Sequence, residues 1–152
     1  MYGQGIFKTA AQRLKTQFNE NSKNPAKWEY FPELDHNEIV GWEESEAFAK
    51  MLSAVFIRDS EETPEIHQRI EVTKELMSKH MEKIYELHSK GKSQLARIAS
   101  VICTGDFTSV YLAILKGIDP TPVKVITALK QKVEQTGFKS RVIQELEWLA
   151  HR

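Results

Sequence analysis

The sequence predicts an α/β fold, a three-layer αβα sandwich around a mainly parallel sheet. Three observations lead there. Helical and strand-like segments alternate along the chain, the pattern of parallel strands joined by helical crossovers. Phe48 to Ile57 is a mostly apolar run, as expected of a strand buried on both faces. The 152 residues, 41% hydrophobic and 28% charged, suit one folded domain and not a disordered chain.

The elements follow in chain order. Gly3-Gln4-Gly5 leads into a helix with Ile6, Ala10, Leu14 and Phe18 on one face. Asn19 to Ser22 frays it and Pro25 ends it. Ala26 to Phe31 alternates apolar and charged residues, a short strand. Asp35 to Glu38 is placed to cap a short apolar helix at Ile39–Trp42. After the Phe48–Ile57 strand, Pro64 occupies the first turn of a long helix, where its missing N–H does no harm. Ile66, Ile70, Thr73 and Met77 form that helix's inner face, widened by Val72 and Leu76. Met81 to Leu87 reads as a strand and Gly91 as a turn. Ser93 caps a helix that Gly105-Asp106 interrupts and that resumes over Phe107–Leu115. Gly117 stops it and Pro122 starts another, with Val123, Ile126, Leu129 and Val133 inward. Gly137 ends that one. Phe138 to Arg152 is an extra amphipathic helix, expected to cover its own core.

Several classes are excluded. Lys plus Arg and Asp plus Glu each total 21, so the net charge is zero. No general basic field is present for nucleic acid or an anionic membrane. The single cysteine, Cys103, rules out an internal disulfide and a multi-cysteine zinc site. It reads as a buried structural residue on an apolar helix face. No twenty-residue apolar span and no signal peptide are evident, so the expected compartment is cytoplasmic.

Polar residues gather in three places. Glu20, in Asn19-Glu20-Asn21-Ser22-Lys23, sits at a helix C-terminus where the dipole disfavours a carboxylate. It is either a base or an ordinary solvated helix end. His36, in Asp35-His36-Asn37-Glu38, can do acid–base work near neutral pH, or its loop is only a cap. Lys124, Lys130 and Lys132 decorate one helix and alone read as a solvated face. His67, His80 and His88 read as surface or packing residues. Asp35, His36 and Glu38 lack the paired histidines of a metal site.

These strings carry a resemblance. Tyr2-Gly3-Gln4-Gly5, Lys15-Thr16-Gln17-Phe18-Asn19-Glu20-Asn21-Ser22-Lys23 and Glu33-Leu34-Asp35-His36-Asn37-Glu38-Ile39-Val40-Gly41-Trp42 are similar to the bifunctional phosphoglucose/phosphomannose isomerases. So are Gly105-Asp106-Phe107-Thr108-Ser109-Val110-Tyr111-Leu112-Ala113 and Gly117-Ile118-Asp119-Pro120-Thr121-Pro122-Val123 through Leu129-Lys130. The likeness runs over about residues 2 to 135.

The resemblance implies the second of two sugar-isomerase (SIS) domains, with flavodoxin-like topology. It places residues 1–136 in that domain, with its first strand cut short at Met1, and leaves 137–152 as an added helix. It implies interconversion of glucose 6-phosphate or mannose 6-phosphate with fructose 6-phosphate through an enediolate, with no metal or organic cofactor. Glu20 takes the catalytic base role, with Glu38 second in line and otherwise a capping or packing carboxylate. His36 opens the sugar ring and reaches a neighbouring subunit's site. Lys130, before Lys132, bears charge toward the sugar oxygens, and Thr121 is a further contributor to substrate preference. His36 and Lys130 also count as substrate-binding. Ser22 and Thr108-Ser109 do not make the family's phosphate loop, so the implied partners are a first SIS domain supplying it and a second copy in a homodimer. Without that first domain the chain is expected to be inactive. The alternatives are a non-catalytic phosphosugar-binding or regulatory module, and an interaction domain without ligand.

Overall fold

The computed structural model describes residues 1–81 and 83–151, without the side chain of Glu46. Glu82, within the expected Met81–Leu87 strand, and Arg152, the last residue of the expected tail helix, lie outside the described residues. Residues 1–120 form one compact unit and residues 121–152 a second.

The first unit holds β1 (Tyr2–Gln4), α1 (Lys8–Glu20), β2 (Glu29–Phe31), α2 (Glu46–Ala49), β3 (Ser53–Arg58), α3 (Pro64–Ser78), β4 (Lys83–His88) and α4 (Gln94–Leu115). The four strands form one parallel sheet in the order β2-β1-β3-β4. Tyr2 stands opposite Glu29 on one side and Phe56 on the other.

Each face of the sheet buries its own cluster. Tyr2, Phe31, Leu34, Phe56, Ile70 and Met77 pack under α3. Phe7, Ala10, Ala11, Leu14, Ile57 and Val101 pack under α1 and α4. The result is the three-layer α/β sandwich that the alternation predicts. Thr63 caps α3 by accepting from the Ile66 N–H, with Pro64 behind it. Ser93 caps α4 by accepting from the Ala96 N–H. The middle of β1 needs glycine where the chain folds back against it, because a Cβ on Gly3 would lie 2.4 Å from the Phe7 carbonyl oxygen.

Several expectations are corrected. First, Phe48 to Ile57 is not one strand: Phe48 lies on α2 and is exposed, and pairing starts at Ser53. Second, α4 is a continuous 22-residue helix. Gly105 does not break it but lets it approach α1, since a Cβ there would lie 2.6 Å from the Leu14 Cγ and Cδ1. That helix is long and apolar enough to cross a membrane by length and composition alone, with a mean hydropathy of 1.7, so an apolar span does exist. Third, Cys103 is exposed, on the face of α4 turned away from α1. Fourth, Val72 and Leu76 are exposed and do not widen the inner face of α3. Fifth, Asp35–Glu38 does not cap the turn at Val40–Trp42, which has no side-chain cap.

In the second unit, α5 (Lys124–Gln135) and α6 (Phe138–Ala150) form a helical hairpin. Gly137 between them has φ +69°, a left-handed conformation glycine takes without strain. Val123, Ile126, Leu129 and Val133 are exposed, so the expected inner face of α5 is not a buried one.

Candidate functional site

Glu20 is the last residue of α1 and its side chain is exposed. The chain beyond it is tightly organised. The Asn21 N–H donates to the Gln17 carbonyl at 2.8 Å, and the Asn24 N–H to that of Phe18 at 3.1 Å. Buried Ser22 donates its hydroxyl to the Phe18 carbonyl at 2.7 Å. Lys23 adopts a left-handed φ of 53°. Its ammonium donates to the Glu20 carbonyl at 2.5 Å and to the Pro120 carbonyl at 3.2 Å. Lys116, just past α4, donates to the Ser22 carbonyl at 2.8 Å and to the Asn24 side chain. Two ammonium groups thus satisfy carbonyls at the end of α1, where the helix dipole favours cations. The Asn21 amide donates to the Ser109 hydroxyl at 2.8 Å, which ties the same turn to α4. The Asn19 Oδ1 is buried beside this turn without a hydrogen-bond partner.

His36 ends a short 3-10 turn, Glu33–His36, that follows β2, and it too is exposed. Leu34 anchors the turn in the core. Asp35 accepts from the Thr73 hydroxyl at 3.0 Å and from Arg69 at 3.2 Å, so the turn is fastened to α3. Asn37 donates to Glu33 at 3.1 Å. Glu20 and His36 therefore belong to opposite faces of the sheet, one held by α1 and α4, the other by α3. Lys130 and Lys132 lie exposed on α5 in the second unit, as does Lys124. Thr121 opens that unit.

Glu38 is buried and committed. The Tyr2 hydroxyl donates to it at 3.0 Å, and the Lys27 ammonium donates to its other oxygen. Burial first, and the Glu38 charge second, push the Tyr2 hydroxyl far above the usual phenol range. Glu38 is thus a structural carboxylate that ties the loop to β1. Among the described residues, no three His, Cys, Asp or Glu side chains converge as a cation site would require.

A charge cluster at the end of β3 has little trace in the local sequence pattern. Arg58, expected only as the exit from the sheet, is buried. Its guanidinium donates to Glu62 at 2.8 and 2.9 Å, to Glu71 at 2.5 Å, and to Glu86. Lys74 donates to Glu71 at 3.0 Å and also contacts Glu86. Burial raises the Glu86 carboxyl, but Lys74 and Arg58 outweigh it and hold the group down at about 2. Glu62 and Glu71 are lowered as well. The Nδ1 of His67 lies 2.9 Å from the same guanidinium. An arginine closing an apolar strand, with Glu61-Glu62 soon after, is the available signal. The open groove of about 500 Å³ beside this cluster is lined by Glu71, Val72, Lys74, Glu75, Ser78 and Ile84. It contains none of Glu20, His36 and Lys130.

The comparisons agree on one relationship. A family model described as the bacterial phospho-glucose isomerase C-terminal SIS domain matches residues 1–133. A bifunctional phosphoglucose/phosphomannose isomerase of Caldicellulosiruptor bescii is 40% identical over 136 residues, which is 89% of this chain and 40% of that one. Its counterpart from Aquifex aeolicus is 35% identical over 125 residues, 82% of this chain and 39% of its own. A crystal structure of a glucose-6-phosphate isomerase like protein from Thermus thermophilus matches with a TM-score of 0.62 at 21% identity. It covers 79% of this chain and 40% of that chain, and at that identity it speaks for the fold. The chain spans about 40% of the length of the relatives it matches. With the matched model extending over most of its length, the chain belongs to the family of bacterial phospho-glucose isomerase C-terminal SIS domains.

Proposed function

We propose that this chain is the C-terminal domain of a sugar-phosphate aldose–ketose isomerase that interconverts glucose 6-phosphate or mannose 6-phosphate with fructose 6-phosphate. The carrying observation is the family match over residues 1–133, together with full relatives named for both activities. The Glu20 carboxylate takes the proton from C2 of the open-chain aldose and returns it to C1, through an enediolate. His36 moves a proton between the ring oxygen and O1 when the pyranose opens. Lys130 places positive charge near the developing oxyanion, with Lys132 second in line.

A carboxylate acting as base must reach its carbon acid directly. Glu20 meets the first requirement, being exposed at a turn held rigid by Ser22, Lys23 and Lys116. Glu20 and His36 are fastened to opposite faces of one sheet, an arrangement that suits a site assembled from two subunits, each giving one of the pair. The remaining length of the relatives is the natural source of the phosphate-binding first SIS domain. Residues 1–136 would then be the second SIS domain and 137–152 an addition to it, in a cytoplasmic homodimer.

The test supplies this chain with the segment that precedes the matched region in the Caldicellulosiruptor bescii relative, and follows fructose 6-phosphate formation from each aldose. Turnover by the pair, reduced about 10²- to 10⁴-fold by Glu20→Gln, is the expected result. Turnover unaffected by Glu20→Gln would overturn the assignment of the base.

A further inference from the structure

Among the described residues, Gly5, Gly91, Gly117 and Gly137 take a positive φ, and Lys23 is the one residue other than glycine that does, at 53°. A residue with a Cβ is strained in that region, and such strain persists where the surroundings hold it. The end of α4 shows a helix closed without it. Gly117 is left-handed there, its N–H donates to the Ile114 carbonyl at 2.9 Å, and the Ile118 N–H donates to the Ala113 carbonyl at 2.9 Å. Glycine lets backbone bonds alone finish that helix. After α1 the left-handed residue is a lysine, two positions past the C-cap Asn21.

The side chain of Lys23 accounts for the exception. The last carbonyls of a helix lack partners within it. Here the Gln17 carbonyl accepts from the Asn21 N–H, and that of Phe18 from the Asn24 N–H and the Ser22 hydroxyl. The Glu20 carbonyl accepts from the Lys23 ammonium at 2.5 Å, which also donates to the Pro120 carbonyl at 3.2 Å. Pro120 is a stiff anchor, because its ring fixes φ and it follows closely on the bonded end of α4. The Glu20 carbonyl lies in the peptide plane next to the Glu20 Cα. A bond that fixes this plane therefore fixes the direction in which the side chain leaves the helix.

We propose that Lys23 is a positioning residue for the catalytic base, clamping the Glu20 carbonyl to the Pro120 carbonyl and so setting the bearing of the Glu20 carboxylate. It acts through Glu20 and not on the substrate, and it rests on the reading of Glu20 as the base of an isomerase. A carboxylate displaced by about 1 Å from its carbon acid loses about a hundredfold in rate. A cation at a helix C-terminus also stabilises the helix, so activity and stability are read separately.

In the test, the segment that precedes the matched region in the Caldicellulosiruptor bescii relative is joined ahead of the 152-residue chain. Fructose 6-phosphate formation is followed for this parent and for Glu20→Gln, Lys23→Gly, Lys23→Met and Lys23→Arg. Lys23→Gly and Lys23→Met are expected to lower kcat about ten- to a hundredfold with KM unchanged, the mark of an interaction that serves the transition state alone. Lys23→Arg keeps a donor on a long side chain and is expected to give most of kcat back. The urea midpoint of Lys23→Gly is expected at or above that of the parent, since glycine takes this conformation freely. Parental kcat in both Lys23→Gly and Lys23→Met, with Glu20→Gln inactive, would overturn the proposal and leave the base assignment standing. So would a rise in KM in place of the fall in kcat, or a Lys23→Arg variant no better than Lys23→Met. A parent without turnover, or turnover indifferent to Glu20→Gln, would overturn the base assignment and the proposal with it.

Discussion

Gly105→Ala tests the contact on which the α1–α4 layer depends. An alanine Cβ would sit 2.6 Å from both Leu14 Cγ and Cδ1, and 3.3 Å from Cδ2. Carbon atoms in contact prefer about 3.5–4.0 Å, so α4 must retreat by about an ångström or Leu14 must leave its rotamer. Over-packing of this kind costs about 1–3 kcal/mol. Replacing glycine by alanine inside a helix returns about 1 kcal/mol. The net expectation is a loss of about 1 kcal/mol, set against a gain of about 1 kcal/mol if the position were open. Leu14→Ala alone should cost about 2–5 kcal/mol. In the double variant the new methyl occupies the vacated space, so the combined loss should be smaller than the sum by about 1–3 kcal/mol. Urea unfolding followed by circular dichroism measures all four corners of the cycle. A Gly105→Ala variant that is more stable than the parent, with additive behaviour in the double variant, would refute the close approach of the two helices.

Three more expectations concern buried charge. Arg58→Met should cost about 3–5 kcal/mol, because the nearly buried Glu62 side chain loses its countercharge; a loss below about 1 kcal/mol in urea unfolding would count against the cluster. The Glu86, Glu62 and Glu71 carboxyls are held below their unfolded values, Glu86 at about 2. Their contribution is therefore complete above the unfolded carboxyl range and is lost as pH falls from about 5 toward 2. Solvent exposure limits it to about 1–2 kcal/mol, and a urea midpoint that does not move between about pH 6 and pH 3 would contradict it. Tyr2→Phe should cost about 1–3 kcal/mol by removing a donor from buried Glu38, read as a lower thermal midpoint at neutral pH.

The layers are legible in the sequence because their signals are local. Thr63-Pro64 and Ser93 announce helix starts through one side chain and one N–H each. The alternation of strand and helix survives errors in single boundaries. Boundaries are lost where composition misleads: Phe48 to Leu52 is apolar enough for a strand, yet it forms a short helix and a turn before Ser53. Gly105 reads as a weak helix former, although its use is to admit Leu14 from ninety-one positions away. The same contact decides Cys103, which faces out because Gly105 faces in.

The candidate site is legible only as a resemblance carried by whole strings of residues. Spacing alone leaves Glu20 and His36 open between catalysis and an ordinary helix end or cap. What holds them comes from distant elements: Lys116 and Ser109 for the Glu20 turn, Thr73 and Arg69 for the His36 turn. No local pattern announces such partners. The Arg58 cluster is hidden for the same reason, since its carboxylates arrive from a loop, a helix and a neighbouring strand.

The most direct test mixes two inactive chains. Glu20→Gln and His36→Ala chains, each supplied with the first SIS domain of the Caldicellulosiruptor bescii relative, are combined in equal amounts and allowed to exchange subunits. Alone, each is expected to lose about 10²- to 10⁴-fold in fructose 6-phosphate formation. If one subunit gives the base and its neighbour the histidine, half of the dimers are mixed and each has one intact site, so about a quarter of the parental activity returns. A mixture no more active than its components would contradict an isomerase site shared between two copies of this domain.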